Sequence, residues 1–484
     1  MTLLCGRMAT PRYDLLVIGS GPSGRRAAIQ AAKLGKQVLV IERGRRVGGV
    51  SVHTGTIPSK TLRETVLNLS GWRERGFYGR GYRVKQDISA ADLMRRLHKT
   101  LDHEVEVLEH QFARNGVHVL SGAGRFTDPH TIEVTSAEGE ARCVAGDKIL
   151  IAVGTEPYRP AYIPFEEPSV FDGDELIELP RLPRSLTVIG AGVIGVEYAT
   201  IFSALDVAVT LVEPRDTILD FVDREIVAEF IHELRDRNVG LRLGTPVESV
   251  AVENGRPVCR LKDGRVIANE MLLFAAGRIG ATAQLDLPAA GLIADERGRL
   301  PVEPTTMQTS VPHIYAAGDV IGFPSLASTS LEQGRLAACH AFGLAPPPPP
   351  KYFPYGIYAV PEISTVGLTE EEVRARHIPY EVGTARFRET SRGHIMGLDS
   401  GMMKMLFSLK THRLLGVHII GEGATELIHI GQAVLNLKGG IDYFMENTFN
   451  YPTLAEAYKI AALDAWNRLQ AAGASVPVES AASA

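Results

Sequence analysis

One pattern of glycines between apolar runs occurs twice in the chain, and it constrains the fold more than any other feature. In the first copy, the apolar run Leu15–Ile18 precedes Gly19, Gly21 and Gly24, and a second apolar run ends at Glu42. This order is typical of a βαβ unit, whose glycines allow a tight turn and close approach of the backbone to a pyrophosphate at the helix N-terminus. A carboxylate after the second strand, here Glu42, can bond both hydroxyls of an adenosine ribose.

The second copy has Gly190, Gly192 and Gly195 in the same spacing, followed by an apolar run that ends at Glu213. The acid lies 23 residues after the first glycine in both copies (42 − 19 and 213 − 190). Two matched units predict an α/β fold with two Rossmann-like dinucleotide-binding domains, and they imply that one chain binds two dinucleotides. This excludes a simple NAD dehydrogenase, which needs one such unit.

Composition sets the outer limits. A chain of 484 residues suggests about three domains at roughly 150 residues each. The net charge of -5 gives no reason to expect nucleic acid or an anionic membrane as a partner, and no apolar run reaches the ~18 residues of a membrane span. The first residues lack a signal-peptide pattern, and Met8 is an alternative start to Met1.

The cysteines are few and scattered, with no CxxC or CxxH spacing: Cys5, Cys143, Cys259 and Cys339. This is the pattern of a reducing compartment, and it favours neither a disulfide framework nor a zinc site. His418 and His429 have no acid or cysteine cluster beside them, so we expect no metal. The chain is expected to be cytoplasmic.

The segment GGVSVHTGTIPSK, residues 48–60, combines a glycine-rich loop with a helix start. Pro58 suits the first turn of a helix, where its missing N–H costs nothing. Lys60 then falls on that first turn, at the positive end of the helix dipole, where a lysine is slightly disfavoured. A lysine placed there indicates a local partner or task.

The same segment resembles the redox-active segment of the flavoprotein disulfide reductases, the family of glutathione reductase and dihydrolipoamide dehydrogenase. That family has two cysteines five positions apart, where this chain has Ser51 and Thr56. Hydroxyl groups cannot form a disulfide or carry a thiolate, so the resemblance implies the family's scaffold without its disulfide chemistry. It covers nearly the whole chain, from Tyr13 to about Leu469.

The resemblance implies a domain order. Residues 1–157 would form the first part of an FAD-binding domain, 158–277 an NAD(P)-binding domain, and 278–350 the second part of the FAD domain with a proline linker. Residues 351–470 would form an α+β interface domain of a homodimer. The composition of the tail, residues 471–484, predicts disorder. The linker contains five prolines, residues 346–350, for which recognition by a proline-binding domain is an alternative.

The resemblance also assigns site residues. Further contacts to FAD would come from Gly49, Thr56, Gly154 and Asp319, and a further contact to NAD(P) from Gly277. The strand in HIYAAGDVIG is expected to end at Asp319, which in the family holds the flavin ribityl chain.

Lys60 and Glu197 are the expected catalytic residues. In the family, the matching lysine and glutamate pair beside the flavin ring and the nicotinamide. A cation next to flavin N5 favours the reduced flavin, and the glutamate fixes that cation in place.

Glu213 and Arg215 give a mixed signal for the choice of nucleotide. The acid suits the free ribose of NAD, and the nearby arginine can meet the 2′-phosphate of NADP. A charge-assisted contact contributes about 1.5–3 kcal/mol, so one arginine can roughly offset the repulsion from the acid. Both nucleotides are therefore expected to bind.

Near the C-terminus, FNYPT places Tyr451 where disulfide reductases carry the histidine that shuttles protons to their thiols. A phenol of pKa near 10 is a poor proton shuttle at neutral pH. Thiol pair and proton shuttle are thus missing together.

We therefore expect an FAD-dependent oxidoreductase that transfers hydride between NADPH and NAD through the flavin, of the Si-specific type. Two alternatives stay open: an NAD(P)H:quinone reductase, and a catalytically silent relative of dihydrolipoamide dehydrogenase that acts as a structural subunit. The physiological direction, the preferred nucleotide and assembly beyond a dimer do not follow from the sequence.

Overall fold

The structure, a computed structural model, describes residues 10–345 and 348–471. Its first sheet has the strand order β3-β2-β1-β6-β5-β4, with a further strand, β17, beside β6. The pairs β3–β2, β2–β1, β1–β6 and β6–β17 are parallel. The pairs β6–β5 and β5–β4 are antiparallel. The strands are β1 (Arg12–Ile18), β2 (Val38–Glu42), β3 (His118–Ser121), β4 (Ala123–Asp128), β5 (Thr131–Thr135), β6 (Ala141–Ile151) and β17 (Ile314–Ala316).

The helices around this sheet are α1 (Pro22–Lys33), α2 (Val50–His53), α3 (Thr56–Leu69), α4 (Arg75–Tyr78), α5 (Ala90–Arg114) and α8 (Ala327–Ala341). Helices α1 and α8 pack backbone to backbone, because a Cβ on Gly334 of α8 would lie 2.0 Å from the carbonyl oxygen of Ser23. Gly334 is therefore required by this contact.

The second sheet is parallel, in the order β11-β10-β9-β15-β8, and it holds the second glycine pattern. Its elements are β8 (Val170–Asp172), β9 (Ser185–Ile189), α6 (Val193–Ala204), β10 (Ala208–Glu213), α7 (Arg224–Asp236), β11 (Gly240–Leu243) and β15 (Met271–Phe274). A small antiparallel sheet lies within this part of the chain: β12 (Val247–Glu253), β13 (Arg256–Leu261) and β14 (Val266–Ala268). Where the chain leaves and rejoins the first part, β7 (Thr155–Pro157) pairs with β16 (Arg278–Gly280).

The C-terminal part is built on an antiparallel sheet in the order β18-β19-β22-β21-β20. Its elements are β18 (Tyr355–Ile357), β19 (Ile363–Gly367), α9 (Glu370–Ala375), β20 (Tyr380–Arg386), α10 (Ser391–Met396), β21 (Met402–Ser408), β22 (Leu414–Ile420), α11 (Ala424–Asn436), α12 (Ile441–Glu446) and α13 (Glu456–Ala471). The α/β class with an α+β C-terminal part is as predicted.

Two strand predictions were wrong in their bounds. The strand expected to end at Asp319 ends at Ala316, and Asp319 begins a 3₁₀ turn because Gly318, at φ +87°, turns the chain. The apolar pattern of the sequence also predicts a strand over residues 357–360, but the strand formed there, β18, ends at Ile357. Beyond it, the N–H groups of Tyr358 and Val360 donate to side chains of α6 and not to a neighbouring strand.

Helix α3 begins at Thr56, so Lys60 is its fifth residue and lies just past the first turn. The sequence had predicted that Lys60 lies within that turn. The dipole argument against a lysine at this position is correspondingly weaker.

The cysteine prediction was wrong in one respect. Cys143 is disulfide-bonded, whereas Cys259 and Cys339 are free and buried. The cysteine pattern therefore gives no support to a reducing compartment.

Four predictions concern residues outside those the structure describes: the choice between Met1 and Met8, Cys5, part of the proline run, and the tail from residue 472. Among the helices of the described ranges, none is both long enough and apolar enough to cross a membrane. The described residues also hold no cluster of metal-ligating side chains.

Candidate active site and nucleotide sites

The three glycines of the first unit serve three different purposes. Gly19, at φ +102°, makes the tight turn, and a Cβ there would lie 2.4 Å from the carbonyl oxygen of Ala152. A Cβ on Gly24 would lie 1.9 Å from the carbonyl oxygen of Gly19, so this glycine lets α1 pack on the turn. A Cβ on Gly21 would meet nothing within 4 Å, which leaves open space at the N-terminus of α1. An anionic group can approach the backbone there.

Glu42 is buried at the end of β2, with 8% of its surface exposed. One carboxylate oxygen accepts hydrogen bonds from the backbone N–H of Ser20, at 2.9 Å, and from the Ser20 hydroxyl. The other accepts from the N–H of Gly44 at 2.7 Å. The carboxylate therefore ties the glycine turn to the end of β2.

These elements border a cavity of about 500 Å³. Its lining includes the predicted FAD contacts Gly19, Gly21, Glu42, Gly49, Thr56, Gly154 and Asp319. Gly49, at φ +62°, packs against Gly21, and a Cβ on Gly49 would lie 2.9 Å from the Gly21 Cα. Ser51 and Thr56, which stand at the family's two cysteine positions, also line the cavity.

The residues around the cavity fit a cofactor that carries polar groups. Thr54 lines it, and the buried Thr54 hydroxyl has no hydrogen-bond partner within the described part of the chain. A buried hydroxyl is normally satisfied. With the open space at Gly21 and the carboxylate of Glu42, this free hydroxyl is consistent with a bound FAD.

Asp319 lines the cavity near a polar network, and its carboxylate accepts a hydrogen bond from the Ser330 hydroxyl at 3.3 Å. Burial raises the pKa of Asp319 above its ordinary value, although Arg278 opposes the shift. The guanidinium of Arg278 bonds Asp174 at 2.7 Å and the hydroxyl of Thr155 at 2.9 Å. Gly154, at φ +68°, makes the turn that precedes this network.

Lys60 and Glu197 are brought together from parts of the sequence 137 residues apart. The Lys60 Nζ lies 2.9 and 2.8 Å from the two carboxylate oxygens of Glu197. Glu197 is 3% exposed, and the Lys60 Nζ also lies 4.9 Å from the centre of the Tyr358 ring. The predicted pair is thus formed, and α3 of the first unit contacts α6 of the second through it.

The same helix is bonded to the C-terminal part of the chain. The N–H of Tyr358 donates to Glu197 at 2.9 Å, and the N–H of Val360 donates to the Thr200 hydroxyl at 3.0 Å. The orientation of the Glu197 carboxylate is therefore fixed by contacts between three parts of the chain: α6, α3 and the segment after β18.

The second glycine turn repeats the geometry of the first. Gly190 has φ +102°, and a Cβ there would lie 2.7 Å from the carbonyl oxygen of Ala275. A Cβ on Gly195 would lie 1.8 Å from the carbonyl oxygen of Gly190, and a Cβ on Gly192 would meet nothing within 4 Å. Gly277, at φ +126°, likewise faces open space.

Glu213 is 3% exposed and accepts hydrogen bonds from the N–H of Ala191, at 2.8 Å, and from the N–H of Arg215, at 3.2 Å. The Arg215 guanidinium bonds Glu213 through Nε at 2.8 Å and Asp220 through a terminal nitrogen at 2.6 Å. Burial favours the neutral acid, but the hydrogen bonds from Arg215 and Ala191 hold the pKa of Glu213 below its ordinary value. The arginine expected to meet a 2′-phosphate is thus bound between two carboxylates.

Tyr451 is exposed, and its hydroxyl lies 2.5 Å from the Ser391 hydroxyl. Glu456, at the position of the family's histidine-orienting glutamate, has a buried carboxylate oxygen without a hydrogen-bond partner among the described residues. Within one chain, no hydrogen bond joins Tyr451 to Glu456 among the described residues.

Sequence reasoning missed several contacts. Ser20 holds Glu42 and could have been suspected, because a small polar residue lies directly inside the glycine turn. Arg278 directly follows the predicted NAD(P) contact Gly277, but no role was predicted for it. The N–H groups of Tyr358 and Val360 gave no signal, since every residue but proline has one.

Comparison with known proteins places the chain in a family. Residues 13–334 match the family described as pyridine nucleotide-disulphide oxidoreductase. Residues 353–462 match its dimerisation domain. The chain belongs to the pyridine nucleotide-disulphide oxidoreductase family.

Among curated relatives, the soluble pyridine nucleotide transhydrogenase of Mycobacterium tuberculosis is 52% identical over 460 residues, which is 95% of this chain and 98% of the relative. The protein of the same name from Marinomonas sp. is 42% identical over 96% of this chain and 100% of the relative. Among solved structures, the HOCl-induced flavoprotein disulfide reductase RclA from Escherichia coli superposes with a TM-score of 0.85 at 26% identity, covering 93% of this chain and 99% of that chain. The prediction of the flavoprotein disulfide reductase family is confirmed, as are FAD and nicotinamide nucleotides as its cofactors.

Proposed function

We propose that this protein is an FAD-dependent transhydrogenase, which transfers hydride between NADPH and NAD. The observation that carries the proposal is that the Lys60–Glu197 ion pair is complete while hydroxyl residues occupy both cysteine positions. The chain keeps the charged pair that the resembled family places beside the flavin, and it has no dithiol at positions 51 and 56 to pass electrons onward. The names of the relatives agree with hydride exchange between two nicotinamide nucleotides, and neither alternative has comparable support.

FAD, when bound, supplies a group that accepts and returns hydride. The first glycine turn, with Gly49 and Glu42, would hold its adenosine diphosphate part, and Asp319 would contact its ribityl chain. Lys60 would place a positive charge beside the reacting ring, where negative charge develops. Glu197 would fix that charge in one position.

The second glycine turn would bind both nucleotides in succession. Glu213 would bond the free ribose of NAD, and Arg215 would bond the 2′-phosphate of NADP. Gly277 would leave room for the nucleotide beside the turn. No acid or base is required for the exchange itself, which is consistent with an exposed tyrosine at the position of the proton-shuttling histidine.

Steady-state rates with NADPH and thio-NAD test the proposal. Because one nucleotide leaves before the other binds, double-reciprocal plots at several fixed thio-NAD concentrations should be parallel. Arsenite, which traps neighbouring thiols, should leave the rate unchanged. A rate with a quinone that greatly exceeds the rate with thio-NAD would contradict the proposal and support a quinone reductase.

We also propose that the transfer is Si-specific, so that hydride leaves and joins the Si face of nicotinamide C4. The support is the resemblance to the family members that lack the cysteines. NADPH labelled with deuterium at the pro-S position of C4 should lose its label and yield unlabelled NADP, as mass spectrometry would show. Retention of that label in NADP would contradict the assignment.

A homodimer in the cytoplasm completes the proposal. The match of residues 353–462 to a dimerisation domain supports the dimer, and the word soluble in the relatives' names agrees with a cytoplasmic location. Light scattering on the purified protein should give twice the mass of the 52.5 kDa chain.

A further inference from the structure

The loop that follows β10 carries two charged side chains next to Glu213. Arg215 bonds Glu213 through Nε and Asp220 through a terminal nitrogen, and its other terminal nitrogen lies 3.3 Å from Glu213. All three guanidinium nitrogens therefore face carboxylates. One arginine and two ionised acids leave this group of three with a net negative charge.

Asp220 lies in a loop that is anchored by contacts on both sides of it, although its own side chain is half exposed. The neighbouring Leu219 is 1% exposed and adopts φ +46°, a conformation that bulky residues rarely take. The N–H of Leu219 donates to the carbonyl oxygen of Ala191 in the glycine turn at 3.2 Å. Ile218 and Val222 are buried on either side.

The far end of the loop is fixed by a buried ion pair. Asp223, which is fully buried, bonds Lys404 of β21 at 3.0 Å. Phe221 packs against the ring of Tyr355, with 4.8 Å between ring centres. The backbone strain at Leu219 and these anchors together determine where the carboxylate of Asp220 lies.

We propose that Asp220 is a specificity-determining residue that lowers the affinity of the second unit for 2′-phosphorylated nucleotides. This inference rests on the proposed function, in which both nucleotides use this unit. A 2′-phosphate bound by Arg215 must replace a carboxylate contact of the guanidinium and stand near the negative charge of Asp220. A free ribose needs neither change, so Asp220 acts selectively against NADP(H).

The effect suits an enzyme that must release each nucleotide before it binds the other. An arginine free of Asp220 would hold the phosphate more tightly and slow the release of NADP(H). With Asp220 in place, the two affinities stay closer together. A ratio of ten between them corresponds to only ~1.4 kcal/mol.

The test is the substitution Asp220→Asn in the full-length holoenzyme, with calorimetric binding of two redox-inactive probes, 2′,5′-ADP and 5′-ADP. The control is Asp216→Asn, which removes the same charge from the same loop. No hydrogen bond or ion pair joins Asp216 to another residue in the described part of the chain, and its side chain is exposed. Flavin absorbance and unfolding temperature show whether each variant keeps its fold.

With Asp220→Asn, we expect 2′,5′-ADP to bind about three- to tenfold more tightly at low salt and 5′-ADP to change less than twofold. The gain should shrink as the ionic strength rises. Asp216→Asn should change the binding of 2′,5′-ADP by less than half of that gain.

Weaker binding of 2′,5′-ADP by Asp220→Asn would overturn the proposal, because the acid would then only orient the arginine for the phosphate. Equal gains from the two variants would also overturn it, since any nearby charge would then act in the same way. Binding of these probes needs no hydride transfer. A failure of the transhydrogenase assignment would appear in the rates with thio-NAD and leave this comparison interpretable.

Discussion

Glu42 and Glu213 occupy equivalent places in the two βαβ units and are held by the same backbone geometry. Each carboxylate accepts a hydrogen bond from the N–H of the residue after the first glycine of its unit. Each also accepts one from the N–H of the residue two positions beyond itself. The glycines match as well, with the same φ of +102° at the first position of both turns.

The side chains around the two acids differ. In the first unit, the Ser20 side chain donates a further hydrogen bond to Glu42, and Gly44 has no side chain that could do so. All donors to Glu42 are therefore neutral. In the second unit, the Ala191 side chain cannot donate, and the Arg215 guanidinium donates to Glu213. In a unit for a resident cofactor, fixed neutral donors are enough to hold the carboxylate that bonds the ribose. A unit that must accept two nucleotides gains from a cation that can change partners.

The shared geometry can be tested by substitutions that break it in both units. Gly24→Ala and Gly195→Ala each bring a Cβ within 2 Å of a backbone oxygen. We expect each to lower the free energy of unfolding by about 3 kcal/mol or more, measured by denaturant titration. Gly24→Ala should also lose bound flavin, which absorbance at 450 nm would report.

Gly192→Ala is the matched control for the second unit, because its Cβ would meet nothing within 4 Å. It should unfold like the parent protein, retain flavin and bind nicotinamide nucleotides weakly, since the methyl group enters the space left for the pyrophosphate. If Gly192→Ala and Gly195→Ala had equal stability, the packing argument would be wrong.

One contact between the units is the ion pair of Lys60 and Glu197. Lys60→Met leaves a 3% exposed carboxylate with only the N–H of Tyr358. We expect a loss of about 2–3 kcal/mol of stability, because the lysine is partly exposed. Flavin reduction by NADPH should slow by about a hundredfold in stopped-flow absorbance. Lys60→Arg keeps the charge, so a loss as large as that of Lys60→Met would show that the cation is not what matters.

The difference between the units can be removed at Arg215. Arg215→Ala should weaken NADP(H) by about 1–3 kcal/mol, roughly five- to 150-fold in kcat/KM. NAD(H) should change little, because its ribose needs only Glu213. Glu213→Ala should act in the opposite direction, weakening NAD(H) and relieving repulsion on NADP(H). Equal losses of both nucleotides in Arg215→Ala would mean that this arginine does not read the phosphate.

The smallest expected effect is on the pH dependence of stability. The folded pKa of Glu213 is held below its ordinary value, so its paired carboxylate stabilises the fold fully above the unfolded pKa of about 4.3. That contribution is lost as the pH falls through the lowered folded pKa. The difference in unfolding free energy between the parent protein and Arg215→Ala should therefore shrink, by about 1 kcal/mol or less, from pH 7 to pH 4. A difference that grows on acidification would contradict this.

Features that depend on local sequence could be predicted. The glycine spacing and the offset of 23 residues gave both nucleotide-binding units and their acids, because strand, turn and helix lengths fix where the acid falls. The pairing of Lys60 with Glu197 across 137 residues came from family resemblance, since no local rule connects two such distant positions.

Features that depend on packing between distant segments could not be predicted. The early end of β18 follows from two backbone N–H groups that donate to α6, and the sequence of residues 357–360 contains no sign of those acceptors. The binding of Arg215 by Asp220 depends on the unusual φ of Leu219, which an ordinary leucine in the sequence does not reveal.

The bonds from Tyr358 and Val360 to α6 bear on how this protein can be divided or recombined. A fragment that stops before the proline run, or a chimera with a C-terminal region taken from a relative, would change what surrounds a carboxylate next to the proposed reaction centre. Residues 358–360 follow β18 of the C-terminal sheet in sequence, yet two of their backbone N–H groups bond α6 of the nucleotide-binding region. Modular exchange within this fold should therefore take residues 358–360 and α6 from the same parent.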